Sequence, residues 1–222
     1  MLIVNRRLEI FLPHRHQCGL ELHVGRLRES LTRPLSEQRH PVLMNAIYLW
    51  ACYLSRPGSL CEHEPLYLSR ALAAVSDAIA NPAKVVDFIQ ASCLLSVYFL
   101  SNGRLLEGSY HASAAASLAL QWGLHQIGRD DYASPMPPER ESTFRLEPAK
   151  DSIEQGERIL AFWQVFNLDR CWSVALQRPA TIPDSKHPWT AITTPWPQRM
   201  SDYETVCITN NFGRVIVSDI YC

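Results

Sequence analysis

Apolar positions along this chain recur with a helical period and almost never with the two-residue alternation of a strand. Val24–Leu31 reads as a short amphipathic helix. Pro41 opens PVLMNAIYLWACYLS, where proline suits a first turn and apolar residues surround the helix, which predicts a central position. Arg56-Pro57-Gly58 ends it. Glu64-Pro65 starts the next helix, and Leu68, Leu72, Val75 and Ile79 keep an i, i+4, i+7, i+11 stripe that predicts its buried face. Asn81-Pro82 reads as a stop and restart, with asparagine capping and proline in the first turn of the helix carrying VVDFIQASCLLSVYFL. Ser101-Asn102-Gly103 predicts a left-handed cap.

A very short turn then leads into RLLEGSYHASAAASLALQWGLHQIG, an Ala- and Ser-rich helix that Gly123 closes. Ala112, Ala115, Ala116 and Ala119 are small enough to let Phe88, Leu95 or Phe99 of an antiparallel neighbour sit close. In residues 129–150, prolines and both charge signs replace the apolar period, which predicts a mobile linker. Ser152-x-x-Gln155 has the form of a capping box. It opens a long helix with Ile159, Phe162, Trp163 and Phe166 on its apolar face, ended by Pro179. PATIPDSKHPWTAITTPWP is proline-rich and irregular, and FGRVIVS near the C-terminus has a strand-like pattern.

The fold class that follows is all-α, an irregular array of antiparallel helix pairs. Its expected divisions are a leading segment 1–39, a helical core 40–128, the linker 129–150, the long helix and proline-rich segment 151–200, and a tail 201–222.

Charge narrows the function classes. With 21 Lys+Arg against 22 Asp+Glu, the formal net charge is −1, unsuited to gripping a phosphate backbone. The seven cysteines (Cys18, Cys52, Cys61, Cys93, Cys171, Cys207 and Cys222) are scattered and form no C-x-x-C pair, which fits a reducing compartment. The N-terminus has no sustained apolar stretch of a signal peptide. The run Val85–Leu100 contains Asp87 and Gln90 and is shorter than the roughly 20 residues of a membrane span, so no membrane role is expected.

Candidate chemistry is sparse. Cys61-Glu62-His63-Glu64, with distant His14 and His16, is the nearest approach to a zinc site, but it lacks a second short-spaced ligand pair and reads as a capping loop. His111, mid-helix beside Ser109 and Tyr110, reads as a histidine bonded to a neighbouring helix, since no nucleophile or acid is placed for it to serve. Glu154, Glu157 and Asp169 share the long helix with Arg158 and Arg170, a pattern that more often makes a salt-bridged face than an acid–base pair. Trp50, Trp122, Trp163 and Trp172 read as core and helix-junction residues. No G-x-S-x-G elbow and no glycine-rich phosphate cradle is present. No catalytic, cofactor-binding, metal-ligating or DNA-contacting residue is assigned. A stand-alone small-molecule-binding helical domain, with a pocket near Tyr98, His111 and Trp122, remains the alternative to a regulatory role.

Three blocks carry a family pattern: HPVLMNAIYLWACYLS, IQASCLLSVYFLSNGRLLEGSYHASAAASLALQWGLHQI and IEQGERILAFWQVFNLDRCWSVALQRPATIPD. They resemble the fungal-specific transcription factor domain, the middle homology region of fungal binuclear zinc-cluster regulators. The marking positions are Gln90-Ala91, Gly103-Arg104, Tyr110-His111, Gly123-Leu124-His125, Glu157-Arg158, Phe162-Trp163 and Leu168-Asp169-Arg170. The resemblance implies an all-helical, non-enzymatic regulatory region of a nuclear transcription factor, one that restrains or modulates activity and senses metabolites. In relatives, DNA is read by an N-terminal six-cysteine cluster holding two zinc ions, and a short segment dimerises them. This chain has no such cluster and stops soon after Trp196-Pro197, so the resemblance implies a fragment, a truncated gene product or an incomplete gene model, with zinc and DNA contacts expected only through a missing zinc-cluster module. Homodimerisation, a regulatory protein partner or a metabolite effector are the partners it implies.

Overall fold

The structure, a computed structural model, describes residues 2–128, 144, 146–184 and 187–205. Among them there is no strand. The first half runs through α1 (Leu2–Phe11), a 3-10 stretch (Leu12–Cys18), α2 (Val24–Ser30) and α3 (Pro41–Leu54), then α4 (Glu64–Ala73) and α5 (Val75–Ala80). The second half holds α6 (Val85–Ser101), α7 (Leu105–Gln121), α8 (Ser152–Leu176) and a short α9 (Met200–Thr205). No described helix is long and apolar enough to cross a membrane.

Helix α6 organises the array because it is apolar nearly all round, and such a helix has to be covered on every side. Phe88, Ala91, Leu94, Leu95, Tyr98 and Phe99 join one core with α1, α3 and α4. Val85, Ile89 and Cys93 join a second core with α7 and α8. Ser96, near the end of α6, meets Gly108, near the start of α7, so these two helices run antiparallel.

Ala115, Ala116 and Ala119 are fully buried, as the small-residue pattern requires. Their neighbours differ from the expected ones. They face Val85, Ile89 and Cys93 of α6 and Ile159 and Phe162 of α8, whereas Phe88, Leu95 and Phe99 belong to the other core. An alanine stripe says that something comes close; it does not say which element.

The α4–α5 stripe is a second correction. Leu68 and Val75 pack half-buried against the core as predicted, but Leu72 is 38% and Ile79 60% exposed, and the fully buried apolar positions are Tyr67, Ala71 and Ala78. The helix breaks at Ala74, so one helical period cannot be carried from Leu68 to Ile79. The restart before α6 is also later than expected. Pro82–Lys84 forms a 3-10 turn, and Lys84, not Asn81, precedes the first helical residue, with no side-chain cap.

At the start of α8 the capping box lies one residue earlier than predicted. Asp151 Oδ1 accepts from the Glu154 amide at 2.9 Å, and Glu154 Oε2 accepts from the Lys150 amide at 3.0 Å. Arg26 holds the Asp151 carboxylate in a two-pronged contact at 2.9 and 2.7 Å, which lowers its pKa. Ser152 is thereby free to donate to the Tyr203 carbonyl of α9. Most of the expected linker, and the strand-like FGRVIVS, lie outside the described residues.

Helix α9 rests on the one position of α8 with no side chain. A Cβ at Gly156 would stand 2.5 Å from Tyr203 Cγ, closer than any real contact. Gly156→Val is expected to detach α9 while leaving the α6–α7–α8 packing in place. Hydrogen exchange should show lost protection at residues 200–205 alone; unchanged protection there would contradict this seating.

Candidate functional site

A buried ionic cluster lies at the joint between the first and second halves. Arg39, just before α3, donates to Asp87 Oδ1 of α6 at 3.0 Å and to both Glu157 oxygens of α8 at 2.5 and 2.6 Å. The His40 amide donates to Asp87 Oδ2 at 2.7 Å, and the His23 amide to Glu157 Oε1 at 3.0 Å. Side-chain exposure is 16% for Arg39, 4% for Asp87 and 7% for Glu157. Burial alone would lower the Arg39 pKa, but the two carboxylates outweigh it and hold the guanidinium firmly charged. Every oxygen of both carboxylates accepts at least one hydrogen bond from Arg39 or from a backbone amide, so both groups are engaged in holding the three segments together.

The remaining α8 charges are spent in the same way. Asp169 accepts from the amides of Thr181 and Ile182 at 2.9 and 2.8 Å, fixing the chain that leaves α8. Glu154 pairs with Arg158 at 2.6 Å, and the Arg170 guanidinium lies 4.7 Å over the Phe166 ring. Glu157 and Asp169 are twelve residues apart, roughly 18 Å along the helix, so no single substrate group meets both.

His111 is buried and stacks on Phe99, with ring centres 5.4 Å apart and planes 19° from parallel. Among the described residues it makes no hydrogen bond to a neighbouring helix, contrary to expectation, because the facing surface of α6 is an aromatic ring. Burial pushes its pKa down to about 4, against a smaller opposing pull from Glu107. The folded state therefore holds a neutral ring where the unfolded chain takes up a proton near 6.5. The resulting stability is intact above pH 6.5 and is lost as pH falls toward 4, by about 3 kcal/mol in all. Urea unfolding of the parent and of His111→Phe across this window should differ in slope; parallel curves would refute the assignment.

Tyr98 and His111 flank Phe99, but Trp122 stands eleven residues beyond His111, roughly 16 Å along α7 and its end, against Phe144. These three do not line one pocket. Trp50, Trp163 and Trp172 are buried and Trp122 is half-buried. Around the weak zinc candidate, Glu64 is bound by Arg56 and the Tyr98 hydroxyl, His16 pairs with Glu21 and His14 with Gln17. Among the described residues no three His, Cys, Asp or Glu side chains form a metal-holding group. Cys18, Cys52 and Cys93 are buried free thiols, and burial raises the pKa of each, Cys18 to about 12.

The motif at the end of α7 has a structural use. Gly123 adopts a left-handed conformation with φ of 72° and turns the chain so that the His125 carbonyl receives the amides of Thr193 and Thr194. Thr194 Oγ1 donates to the Leu124 carbonyl at 2.6 Å, and Trp163 Nε1 donates to the Pro195 carbonyl while its ring stacks on Trp196. The proline-rich segment is thus strapped across α7 and α8. Glu157, Asp169, Trp163 and the Gly-Leu-His turn are joints of one scaffold.

The family model of the fungal specific transcription factor domain matches residues 3–188. The chain belongs to that family, and it is a regulatory region of a fungal transcription factor. No curated protein and no solved structure matches it. The residues whose part sequence reasoning missed are Arg39, Asp87 and Arg26. Arg39 and Arg26 sit in a segment of mixed charge with no period to mark them, and their carboxylate partners lie 48 to 125 positions away.

Proposed function

We propose that this chain is the middle-homology regulatory region of a zinc-cluster transcription factor, modulating RNA polymerase II transcription in the nucleus. DNA is read by a separate zinc-cluster module, and this chain contributes protein contacts, dimerisation or effector sensing rather than catalysis. The observation that carries the reading is the family match over residues 3–188, supported by a net charge of −1 that gives no general grip on phosphates. The ionisable groups shared with the family pattern on α8 support it too, since they are engaged in holding helices together.

The test is a reporter. The chain is fused behind a zinc-cluster DNA-binding segment and an activation segment, with the cognate site upstream of the reporter gene. Altered output relative to the same fusion without residues 3–188 is expected. Unchanged output, or tight sequence-specific DNA binding by the purified chain alone, would overturn the proposed division of labour.

A further inference from the structure

The arginines of the core joint and of the helix ends have carboxylate partners. Arg7 of α1 does not. It is 7% exposed, it makes no ion pair among the described residues, its Nε is buried without an acceptor, and its one side-chain neighbour at hydrogen-bond range is the neutral Cys52 thiol, which cannot balance its charge. Its guanidinium lies 4.8 Å from the centre of the Tyr67 ring on α4. Arg70, one turn further along α4, places a second guanidinium 5.9 Å from the same ring, and no described carboxylate pairs with it either. Tyr48 of α3 stands edge-on to Tyr67 at 5.5 Å, and neither phenol hydroxyl has a hydrogen-bond partner among the described residues. Glu64, at the head of α4, is already committed to Arg56 and Tyr98.

This arrangement is costly as it stands. A buried guanidinium gives up its water, and the face of one phenol replaces only part of that solvation. A second guanidinium on the same ring adds repulsion in a region of lowered dielectric. A single anion in reach of both guanidinium groups removes both penalties, and the guanidinium fork matches a carboxylate or phosphate group. Burial, and then the neighbouring Tyr67 phenol, push the Tyr48 hydroxyl up to about 12, so it keeps its proton to donate at neutral pH.

We propose that the corner between α1, α3 and α4 binds the carboxylate or phosphate group of a small anionic metabolite, gripped by Arg7 and Arg70 with the Tyr48 and Tyr67 hydroxyls as further donors. The occupant is small because Arg7 is too enclosed to meet a duplex backbone or a flat protein face; one charged group on a slender ligand reaches it. This rests on the regulatory reading only for its purpose, as the point where a metabolic signal enters the scaffold.

The test uses the purified chain, with inorganic phosphate and succinate as separate probes at constant ionic strength, followed by calorimetry and thermal unfolding. One saturable site for at least one probe is expected, and the two arms tell a phosphate site from a carboxylate site. Arg7→Met should abolish binding. Arg70→Ala, at an exposed position that leaves the core untouched, should weaken it about tenfold or more. Failure of both probes to saturate, or equal binding by the parent and Arg70→Ala, overturns the proposal, and the second comparison stands even if Arg7→Met does not fold. Because binding is read on the chain itself, its failure leaves the reporter experiment unaffected, and the converse holds.

Discussion

Arg39→Met is expected to lower folding stability by about 3–5 kcal/mol, the cost of leaving charges buried without their counter-ion. Asp87 and Glu157 are 4% and 7% exposed at the side chain, and each would keep only one backbone amide from the 23–40 segment. Arg39→Lys should fall between, because a point-like ammonium cannot span two carboxylates as the planar fork does. Adding Asp87→Asn and Glu157→Gln to Arg39→Met should recover a large part of the loss, since the repelling charges go with the cation. Urea midpoints of the four proteins measure this. A loss below about 1 kcal/mol for Arg39→Met would mean that the joint is held by apolar packing alone.

Trp172→Ala is expected to cost a similar amount, about 3–5 kcal/mol, for the loss of a large buried ring. Trp172 is 1% exposed where α6, α7 and α8 meet. Its Nε1 donates to Ser96 Oγ at 2.7 Å, and that hydroxyl donates onward to the Gly108 carbonyl at 2.8 Å. The ring lies over Gly108, where an added Cβ would stand 2.6 Å from Trp172 Cζ2 and 3.0 Å from the Ser96 carbonyl. Trp172→Phe keeps most of the apolar area and loses the hydrogen bond, for about 1–2 kcal/mol beyond its volume change. Gly108→Ala, which forces ring and helix apart, should be destabilising despite the better helix propensity of alanine. A stabilised Gly108→Ala would show that the three helices are not in close contact at this point.

These two sites show where local patterns stop. The glycine in LLEGSYHASAAAS weakens the helix by propensity alone, and nothing within that stretch explains it. Trp172, sixty-four positions later, explains it once the chain is folded. Arg39 sits in RHP, with no period around it, and both of its partners lie on other helices. Its importance comes from desolvation, which no local pattern records. The apparent stripe from Leu68 to Ile79 misleads in the opposite sense: its period is real, but the helix breaks at Ala74, and Leu72 and Ile79 end up exposed while Leu68 and Val75 keep to the core.

What the sequence by itself determined is the helical class, the positions of α3, α6, α7 and α8, the Pro41 start of α3, the left-handed Gly103 and Gly123 that follow α6 and α7, and the family. These depend on apolar period, turn chemistry and residue order, all local along the chain. Only the tertiary structure decided which helix faces which, that Ala115 and Ala119 serve α8 as well as α6, and which partners the α8 carboxylates take. It also decided that Arg7 and Arg70 converge on one tyrosine. Those are outcomes of burial and distance between remote segments, and the free energy of a charge is set by where the fold leaves it.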